Sequence, residues 1–336
     1  MAKILVNLIS EQTIPNIRFI KEYHQAIEKF VFITTIDMEQ SGKTNSHLKV
    51  FNIPDRKIQK IIVDPFKFKK IENILLETNF NEDDEYFVNI TGGTKPMSIV
   101  AMSFFSGFKN AKMFYVPIGE ENYRQVYPRI DQSEKLFSKH LTLKEYFESH
   151  NLELIGKENK ASRDIEIAKK LMVKFIQNHG DIKQIPKIFN AKSLVKSIDK
   201  AYYSGGWFEE FIFWKIKQKF KLNENQIAYN VKLQNERSTN EYDAVFIYHD
   251  SIYIVECKAY FSLVKLKQKI EKDLYKLGAL DKDFGLRSNA IYITTANIKA
   301  NNIKENISLK ERANSLKIQL FQFNDLINDK FLNEIK

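Results

Sequence analysis

The chain has 336 residues, of which 43% are hydrophobic and 28% are charged. This composition is ordinary for a globular protein and excludes wholesale disorder, and the length favours two domains of ~100–200 residues each. The 52 basic and 42 acidic residues give a net charge of +10, which favours a polyanionic partner such as nucleic acid.

The first 135 residues alternate between strand and helix patterns. Buried strands are predicted over residues 3–9, 30–35, 57–63, 86–90 and 112–117. Helical patterns begin near Pro15, Lys67 and Lys95. Because apolar strands that alternate with helices form parallel sheets covered on both faces, residues 1–135 predict a Rossmann-like α/β domain.

The pattern weakens over residues 136–200, which we interpret as a helical connector. Residues 201–336 then predict a second domain of the α+β class. Its predicted helices cover 206–220, 265–277 and 299–315, and its predicted strands cover 226–233, 241–248, 251–260 and 290–295.

A glycine-rich turn connects the strand that ends at Ile90 to the helix that begins near Pro96. Its sequence, Thr91-Gly92-Gly93-Thr94-Lys95, offers free backbone N–H groups, two hydroxyls and an ammonium at the carboxyl end of a parallel strand. Those groups favour phosphate binding. The alternative is a tight connection in which a threonine caps the helix.

A second polar loop, Ser10-Glu11-Gln12-Thr13, leaves the first strand at the same edge. Its hydroxyl and amide groups suit contacts to a base or ribose, or it merely caps the helix that follows. The segment Ser41-Gly42-Lys43-Thr44 is similar to the end of a P-loop, but Asp37 occupies the position of the required earlier glycine. The spacing therefore argues against a P-loop nucleotide triphosphatase.

The strongest pattern is a predicted hairpin over residues 240–260 that turns at His249-Asp250. A two-residue turn pairs Tyr248 with Ser251 and so places Asp243 opposite Glu256. Side chains alternate between the faces of a strand, so Lys258 shares the face of Glu256.

Two carboxylates at this spacing repel each other unless a cation lies between them. Oxygen ligands suit Mg²⁺ or Mn²⁺, and Lys258 is placed to orient a water or to stabilise charge on a phosphate. A third acid is expected from the aromatic-rich helix, with Glu209 preferred and Glu210 as the alternative. The other interpretation of the hairpin is a surface salt-bridge ladder.

The acid and lysine pattern resembles the PD-(D/E)XK nuclease superfamily, although Tyr242 replaces the proline that often precedes the first aspartate. The resemblance implies a metal-dependent endonuclease with Glu209, Asp243, Glu256 and Lys258 as catalytic residues. It also implies a Mg²⁺ or Mn²⁺ ion held by Asp243, Glu256, Glu209 and the backbone carbonyl of Cys257. The accessory phosphate contacts would come from Gln268, Lys272 and Lys276.

The first domain resembles CARF domains, the CRISPR-associated Rossmann folds, through ILVNLISEQTIPN and NITGGTKPMS. Together the two resemblances indicate an ancillary nuclease of type III CRISPR systems. They imply a homodimer that binds a cyclic oligoadenylate, expected to be cyclic tetra-adenylate, and thereby activates cleavage of DNA, single-stranded RNA or both. The residues that would bind the ligand are Ser10, Gln12, Thr13, Thr91, Gly92, Gly93, Thr94 and Lys95.

Two other functions fit the same resemblance: a ligand-sensing regulator with an inactive nuclease-like domain, and a ring nuclease that degrades the oligoadenylate itself. No apolar run approaches the ~20 residues that span a bilayer, and the N-terminal apolar stretch is too short for a secretory signal. The single cysteine, Cys257, excludes an internal disulfide. We therefore expect a cytoplasmic protein without a membrane partner.

Overall fold

The computed structural model describes residues 1–158, 165–178, 202–235, 238–260, 265–285, 288–297, 303–327 and 329–335. The chain divides into two compact units, Met1–Glu153 and Leu154–Lys336. Each unit contains one β-sheet and a set of helices. No helix in the described ranges is both long enough and apolar enough to cross a lipid bilayer.

The first unit contains a seven-stranded sheet. Its strands are β1 (Lys3–Leu8), β2 (Lys29–Thr34), β3 (Ile58–Ile62), β4 (Glu85–Asn89), β5 (Ala111–Tyr115), β6 (Asn122–Tyr127) and β7 (Glu134–Leu136). They lie in the order β3-β2-β1-β4-β5-β6-β7, with β1 to β5 parallel and the last two antiparallel. Its helices are α1 (Ile14–Tyr23), α2 (Ile36–Gln40), α3 (Lys43–Phe51), α4 (Phe68–Glu77), α5 (Lys95–Phe105) and α6 (Leu143–Ser149).

The central strands are apolar on both faces because helices cover both. Ile4, Val6 and Leu8 of β1 pack in one hydrophobic cluster with residues of α4 and α5. Leu5 of the same strand packs in a second cluster with Phe19 of α1. This arrangement confirms the predicted Rossmann-like parallel sheet.

Two features of the first unit differ from the prediction. The sheet continues into the short antiparallel strands β6 and β7. Buried and exposed side chains alternate along β6, and all side chains of β7 are exposed, so neither strand has a continuous apolar run. In addition, α2 and α3 fill the polar segment that follows β2. Gly42 adopts the left-handed conformation, with a φ of 68°, immediately before α3 begins.

The first unit also extends beyond the predicted boundary at residue 135. Leu143, Tyr146 and Phe147 of α6 are buried, and Lys21 of α1 lies 2.6 Å from Glu145. The predicted connector over 136–200 is therefore not one segment: α6 belongs to the first unit and residues 165–177 to the second. The parts of that connector at 159–164 and 179–200 lie outside the described residues.

The second unit contains a six-stranded mixed sheet. Its strands are β8 (Glu153–Glu158), β9 (Ile227–Gln234), β10 (Thr239–Tyr248), β11 (Ser251–Lys258), β12 (Ser288–Thr294) and β13 (Ile318–Phe321), in the order β13-β12-β11-β10-β9-β8. Its helices are α7 (Ile165–Gln177), α8 (Trp207–Lys219), α9 (Leu266–Leu280), α10 (Ile303–Ser315), α11 (Phe323–Ile327) and α12 (Lys330–Glu334). Strands β9 to β11 are antiparallel and β11 to β13 are parallel, which confirms the α+β class.

Helix α8 is central to the core of the second unit. Its aromatic side chains explain the apolar run in the sequence, since Trp207 and Phe208 are fully buried. They pack in one cluster with Phe175 of α7 and with Phe246 and Val255 of the sheet. Burial of such large side chains stabilises the sheet-helix contact by about 2 kcal/mol each, and it fixes the face on which the acidic residues of α8 emerge.

Candidate functional site

The β10–β11 hairpin has the predicted register. Tyr248 pairs with Ser251, and Ala244 pairs with Val255 at the other end of the antiparallel ladder. His249 and Asp250 both have positive φ, 49° and 55°, as a two-residue type I′ turn requires. The next residue of each strand beyond the Ala244–Val255 pair carries a carboxylate. The register therefore brings these two carboxylates to the same end of the sheet.

Those two carboxylates are Asp243 and Glu256, and Lys258 lies between them. The Lys258 Nζ atom is 2.6 Å from Glu256 Oε1 and 3.4 Å from Asp243 Oδ2. The same ammonium donates to the carbonyl oxygen of Cys257 at 3.3 Å, and the Cys257 N–H donates to Asp243 Oδ2 at 2.7 Å. The Glu256 side chain is only 6% exposed, so this cluster is largely withdrawn from solvent.

Helix α8 contributes the third acid. Glu209 forms a side-chain hydrogen bond with Tyr229 of β9. It also lies close enough to Asp243 and Glu256 for their negative charges to raise its pKa. Glu210 is buried elsewhere, where its Oε2 atom accepts a hydrogen bond from the Tyr202 hydroxyl at 2.5 Å. The structure therefore groups Glu209, and not Glu210, with the acids of the hairpin.

The electrostatics of the cluster follow from burial and mutual repulsion. Burial and the Asp243 charge raise the pKa of Glu209 to about 8. Burial and the Glu256 charge raise the pKa of Asp243 to about 6. Burial alone would lower the pKa of Lys258, but the charges of Asp243 and Glu256 outweigh it and raise that pKa well above its usual value. The two carboxylates therefore favour the charged form of Lys258 in this arrangement.

Cys257 contributes backbone atoms to this cluster. Its side chain points to the opposite face of the sheet, where it is buried in the core. Burial raises the pKa of the thiol well above its usual value. A neutral, enclosed thiol is a poor nucleophile and a poor metal ligand, so Cys257 faces the acids only with its backbone N–H and carbonyl oxygen.

Helix α9 lies beside the cluster and brings one of the three predicted accessory residues to it. The Lys276 Nζ atom is 3.8 Å from Glu256 Oε1. Gln268 and Lys272 are exposed on the same helix, and no contact places them with the acids in the described part of the chain.

A tyrosine network next to the acids was not predicted from the sequence. Asp273 Oδ2 accepts hydrogen bonds from the hydroxyls of Tyr260 and Tyr292, at 2.5 and 3.1 Å. Tyr292 of β12 is directly in register with Glu256 of β11. The network therefore ties α9 to the end of the strand that carries Glu256. The sequence shows a tyrosine, Tyr292, within an apolar strand. That position indicates a buried polar network only when the parallel register of β11 and β12 is known.

The donor set at this site fits a hard divalent cation. Asp243, Glu256 and Glu209 supply carboxylates, Cys257 supplies a carbonyl oxygen, and such oxygen ligands suit Mg²⁺ or Mn²⁺. The Lys258 ammonium already contacts three of these oxygens as a cation does. Among the described residues, however, no three histidine, cysteine or acidic side chains are arranged ready to hold one ion.

In the first unit, the two predicted ligand loops lie side by side. β1 and β4 are neighbouring parallel strands, so the loops that follow them share the carboxyl edge of the sheet. Gly92 packs so closely on the Leu8 carbonyl that a Cβ atom would lie 1.9 Å from its oxygen. Two buried hydrogen bonds connect these loops. The Asn16 side chain donates to Leu8 O at 2.8 Å, and the Asn89 side chain donates to Asn16 Oδ1 at 2.8 Å. Sequence reasoning missed this asparagine pair.

The predicted ligand residues differ in how available their side chains are. The Thr91 hydroxyl donates to Asn89 Oδ1 at 2.6 Å and accepts from Val116 N at 2.7 Å. The Thr94 hydroxyl caps α5 and donates to the Pro65 carbonyl. Both threonines therefore serve the fold.

Gly92 is buried against the end of β1. The other predicted ligand residues have side chains or backbone at the surface of the loops, with one exception. Lys95 is exposed on the first turn of α5, Gly93 has a φ of 72°, and Gln12 is half-buried. The Ser10 hydroxyl donates to the Gln12 carbonyl at 3.3 Å. Thr13 is the exception, because it is 1% exposed.

Comparisons with known proteins match both units. Residues 4–146 match the family model of the Card1 CARF domain, and residues 198–332 match that of the Card1-like endonuclease domain. No curated protein matches the chain.

Solved structures share the fold over most of the chain. Can2 from Sulfobacillus thermosulfidooxidans, in complex with cyclic tetra-adenylate, matches with a TM-score of 0.76 and 16% identity over 99% of both chains. Protein VC1899 from Vibrio cholerae matches with a TM-score of 0.73 and 15% identity, over 98% of this chain and 97% of that one. A type III CRISPR defence DNA nuclease activated by cyclic oligoadenylate matches with a TM-score of 0.61 and 13% identity, over 88% of this chain and 45% of that one.

The two sheets and the acidic cluster define a protein in which a CARF domain precedes an endonuclease domain. This confirms the family resemblance drawn from the two sets of motifs. More particularly, the family models that match its two units place the chain among the Card1-like proteins.

Proposed function

We propose that this chain is a cytoplasmic, divalent-metal-dependent endonuclease that a cyclic oligoadenylate, cyclic tetra-adenylate in the first instance, switches on. The observation that carries the proposal is the cluster of Glu209, Asp243, Glu256 and Lys258 in the endonuclease unit. Support for the activator comes from Can2, which matches this chain in fold and was solved with cyclic tetra-adenylate.

The residues that would hold the ion are Asp243, Glu256, Glu209 and the carbonyl of Cys257. A bound Mg²⁺ or Mn²⁺ supplies Lewis acidity and lowers the pKa of a water molecule. Lys258 contacts the same oxygens in the structure. We propose that it turns to the scissile phosphate when an ion takes those oxygens. There its positive charge would stabilise the negative charge that develops as water adds to phosphorus and the P–O bond breaks.

Lys276 provides a second cation at the same place. Its Nζ atom is 3.8 Å from Glu256 and its side chain is 58% exposed, so it reaches both the acids and solvent. An exposed cation beside the reacting group suits a neighbouring phosphate of the substrate strand. We propose accessory contacts to the phosphates of the substrate for Lys276 first, and then for Lys272 and Gln268 toward the start of α9.

The substrate we propose is a flexible nucleic acid: single-stranded DNA, single-stranded RNA, or supercoiled DNA that becomes nicked. The net charge of +10 favours any of these polyanions. One of the structures that share the fold is a type III CRISPR defence DNA nuclease, so we propose DNA as the first substrate to test.

We further propose that the protein acts as a homodimer. A ring of repeated nucleotides is best contacted by two copies of one surface, which requires a two-fold axis. The first unit exposes apolar side chains on α4 and α5, among them Leu76 at 66% and Ile99 at 56%. An exposed apolar face of this kind suits a second copy of the chain.

Activation requires that the ligand bind the active arrangement more tightly than the inactive one. A shift from 1:99 to 99:1 takes about 5.5 kcal/mol of differential binding. Several charge-assisted hydrogen bonds from each protomer to the phosphates supply an energy of that size.

The experiment is cleavage of labelled DNA and RNA by the full chain with Mn²⁺, with and without cyclic tetra-adenylate. Glu256→Gln is the control, because it keeps the side-chain volume and removes the carboxylate. We expect ligand-stimulated cleavage by the wild type and none by the variant. Equal cleavage by both would contradict the catalytic assignment.

The same assay separates the two alternatives. Ligand binding with no cleavage of any nucleic acid would instead support a regulator with an inactive nuclease-like domain. Conversion of the cyclic oligoadenylate to linear fragments would support a ring nuclease.

A further inference from the structure

The polar segment after β2 lies at the same edge of the sheet as the proposed ligand loops. β1 and β2 are adjacent parallel strands, so the segment after β2, which contains α2 and then α3, leaves the sheet at the edge that also holds the loop 10–13. The contact between Lys43 and Glu11 places the start of α3 beside that loop. Lys43 is the first residue of α3 and follows Gly42, whose φ is positive. Lys95 likewise opens α5 after the Gly92-Gly93 turn. Two helices thus each begin with a lysine at this edge.

Lys43 has a partner that is easily replaced. Its Nζ atom is 3.2 Å from Glu11 Oε2, and Glu11 belongs to the loop after β1. The lysine side chain is only 18% exposed, whereas the glutamate side chain is 64% exposed. A carboxylate that is mostly in water contributes little to such a pair, so another anion can take its place at small cost.

The same loop contains a buried polar group that the fold leaves unused. Thr13 is 1% exposed and precedes α1, but its hydroxyl does not cap that helix. Within the described part of the chain, its Oγ1 atom has no hydrogen-bond partner. Buried hydroxyls are nearly always bonded, so an unbonded one two residues from Glu11 indicates that this loop meets a polar ligand.

We propose that Lys43 is a ligand-binding residue of the CARF unit, and that a phosphate of the cyclic oligoadenylate replaces Glu11 as its partner. This inference rests on the proposed function. In the ligand-free protein Glu11 neutralises the lysine and competes with the incoming phosphate. The Ser41-Gly42-Lys43-Thr44 segment, which fails as a P-loop, would thereby still bind a phosphate through its lysine.

The test is binding of cyclic tetra-adenylate to the full chain, measured by calorimetry at several KCl concentrations. Lys43→Met should weaken binding about tenfold, the effect of one lost charge-assisted contact. It should also reduce the slope of log Kd against log salt by about 0.7, the value for one phosphate contact of a single strand. Glu11→Gln should tighten binding several-fold. The matched control is Lys49→Met, an exposed lysine in the last turn of the same helix.

Each outcome has a distinct meaning. Unchanged affinity and salt slope in Lys43→Met, or weaker binding by Glu11→Gln, would overturn the inference while leaving the sensor intact. Failure of the wild type to bind cyclic tetra-adenylate would overturn the proposed function itself. If circular dichroism shows that Lys43→Met does not fold, the Glu11→Gln measurement decides, because that change alters only an exposed side chain.

Discussion

Replacement of Gly92 by alanine tests how the two loops of the CARF unit are held together. The added Cβ atom would lie 1.9 Å from Leu8 O and 3.2 Å from Asn16 Nδ2. An ordinary contact begins at 3.4 Å, so either the end of β1 or the glycine loop must move by about 1.5 Å. Because Leu8 O accepts a 2.8 Å hydrogen bond from Asn16, that movement breaks a buried polar contact as well.

The expected cost is the sum of two known effects. Overpacking of a tight site costs about 1–3 kcal/mol, and an unsatisfied buried polar group costs about 1–3 kcal/mol. We therefore expect Gly92→Ala to destabilise the first unit by about 2–6 kcal/mol, a large part of the stability of a domain of this size. The displaced loop should also bind cyclic tetra-adenylate more weakly.

Hydrogen exchange measured by mass spectrometry on β1 and β4 is the suitable assay. Both tryptophans, Trp207 and Trp214, lie in the second unit, so their fluorescence serves as a check that this unit stays folded. Gly107→Ala is the control, because its Cβ atom would meet only Phe104 O, at 3.4 Å. Equal protection of β1 and β4 in the two variants would refute the argument from close packing.

Three further predictions address the charges. Lys258→Met should slow cleavage by at least about 100-fold, while calorimetry should still show Mn²⁺ binding. Loss of both cleavage and Mn²⁺ binding would assign the lysine a structural role. His47 is fully buried, which lowers its pKa to about 4 from 6.5. The unfolded chain therefore takes up the proton first as the pH falls, and His47 should contribute about 2 kcal/mol to the stability that the first unit loses between pH 7.5 and 5. Burial also lowers the pKa of His150 of the same unit to about 4, so denaturation curves of His47→Gln should show a loss about 2 kcal/mol smaller than that of the wild type. Asp273→Asn should slow cleavage about tenfold, with unchanged affinity for cyclic tetra-adenylate, because it releases α9 and Lys276; unchanged turnover would contradict this.

The sequence predicted the central strands of both units for a simple reason. Long apolar runs such as 3–9 and 30–35 are expected only where helices cover both faces of a sheet, and both faces are covered. The antiparallel strands β6 and β7 lack such runs, because β6 has one face open to solvent and β7 exposes all of its side chains. Helix α3 was missed because its sequence is polar and its start depends on the left-handed Gly42.

The juxtaposition of Asp243 with Glu256 was predictable because a two-residue turn fixes the register of a hairpin. Contacts that depend on distant segments were not. Consecutive positions on a helix point about 100° apart, so Glu209 and Glu210 were distinguishable only once Tyr202 was seen beside the second. The contact of Asp273 with Tyr292 depends on a parallel register set through α9, which no local pattern encodes.

The most direct test of the catalytic assignment is to measure Mn²⁺ binding to the metal-free full chain by calorimetry, in the wild type and in Asp243→Asn. The account predicts saturable binding to one site per chain in the wild type, and loss of that site in the variant. Equal binding by the two proteins, or no binding by the wild type, would show that the carboxylates of the β10–β11 hairpin do not hold a divalent ion.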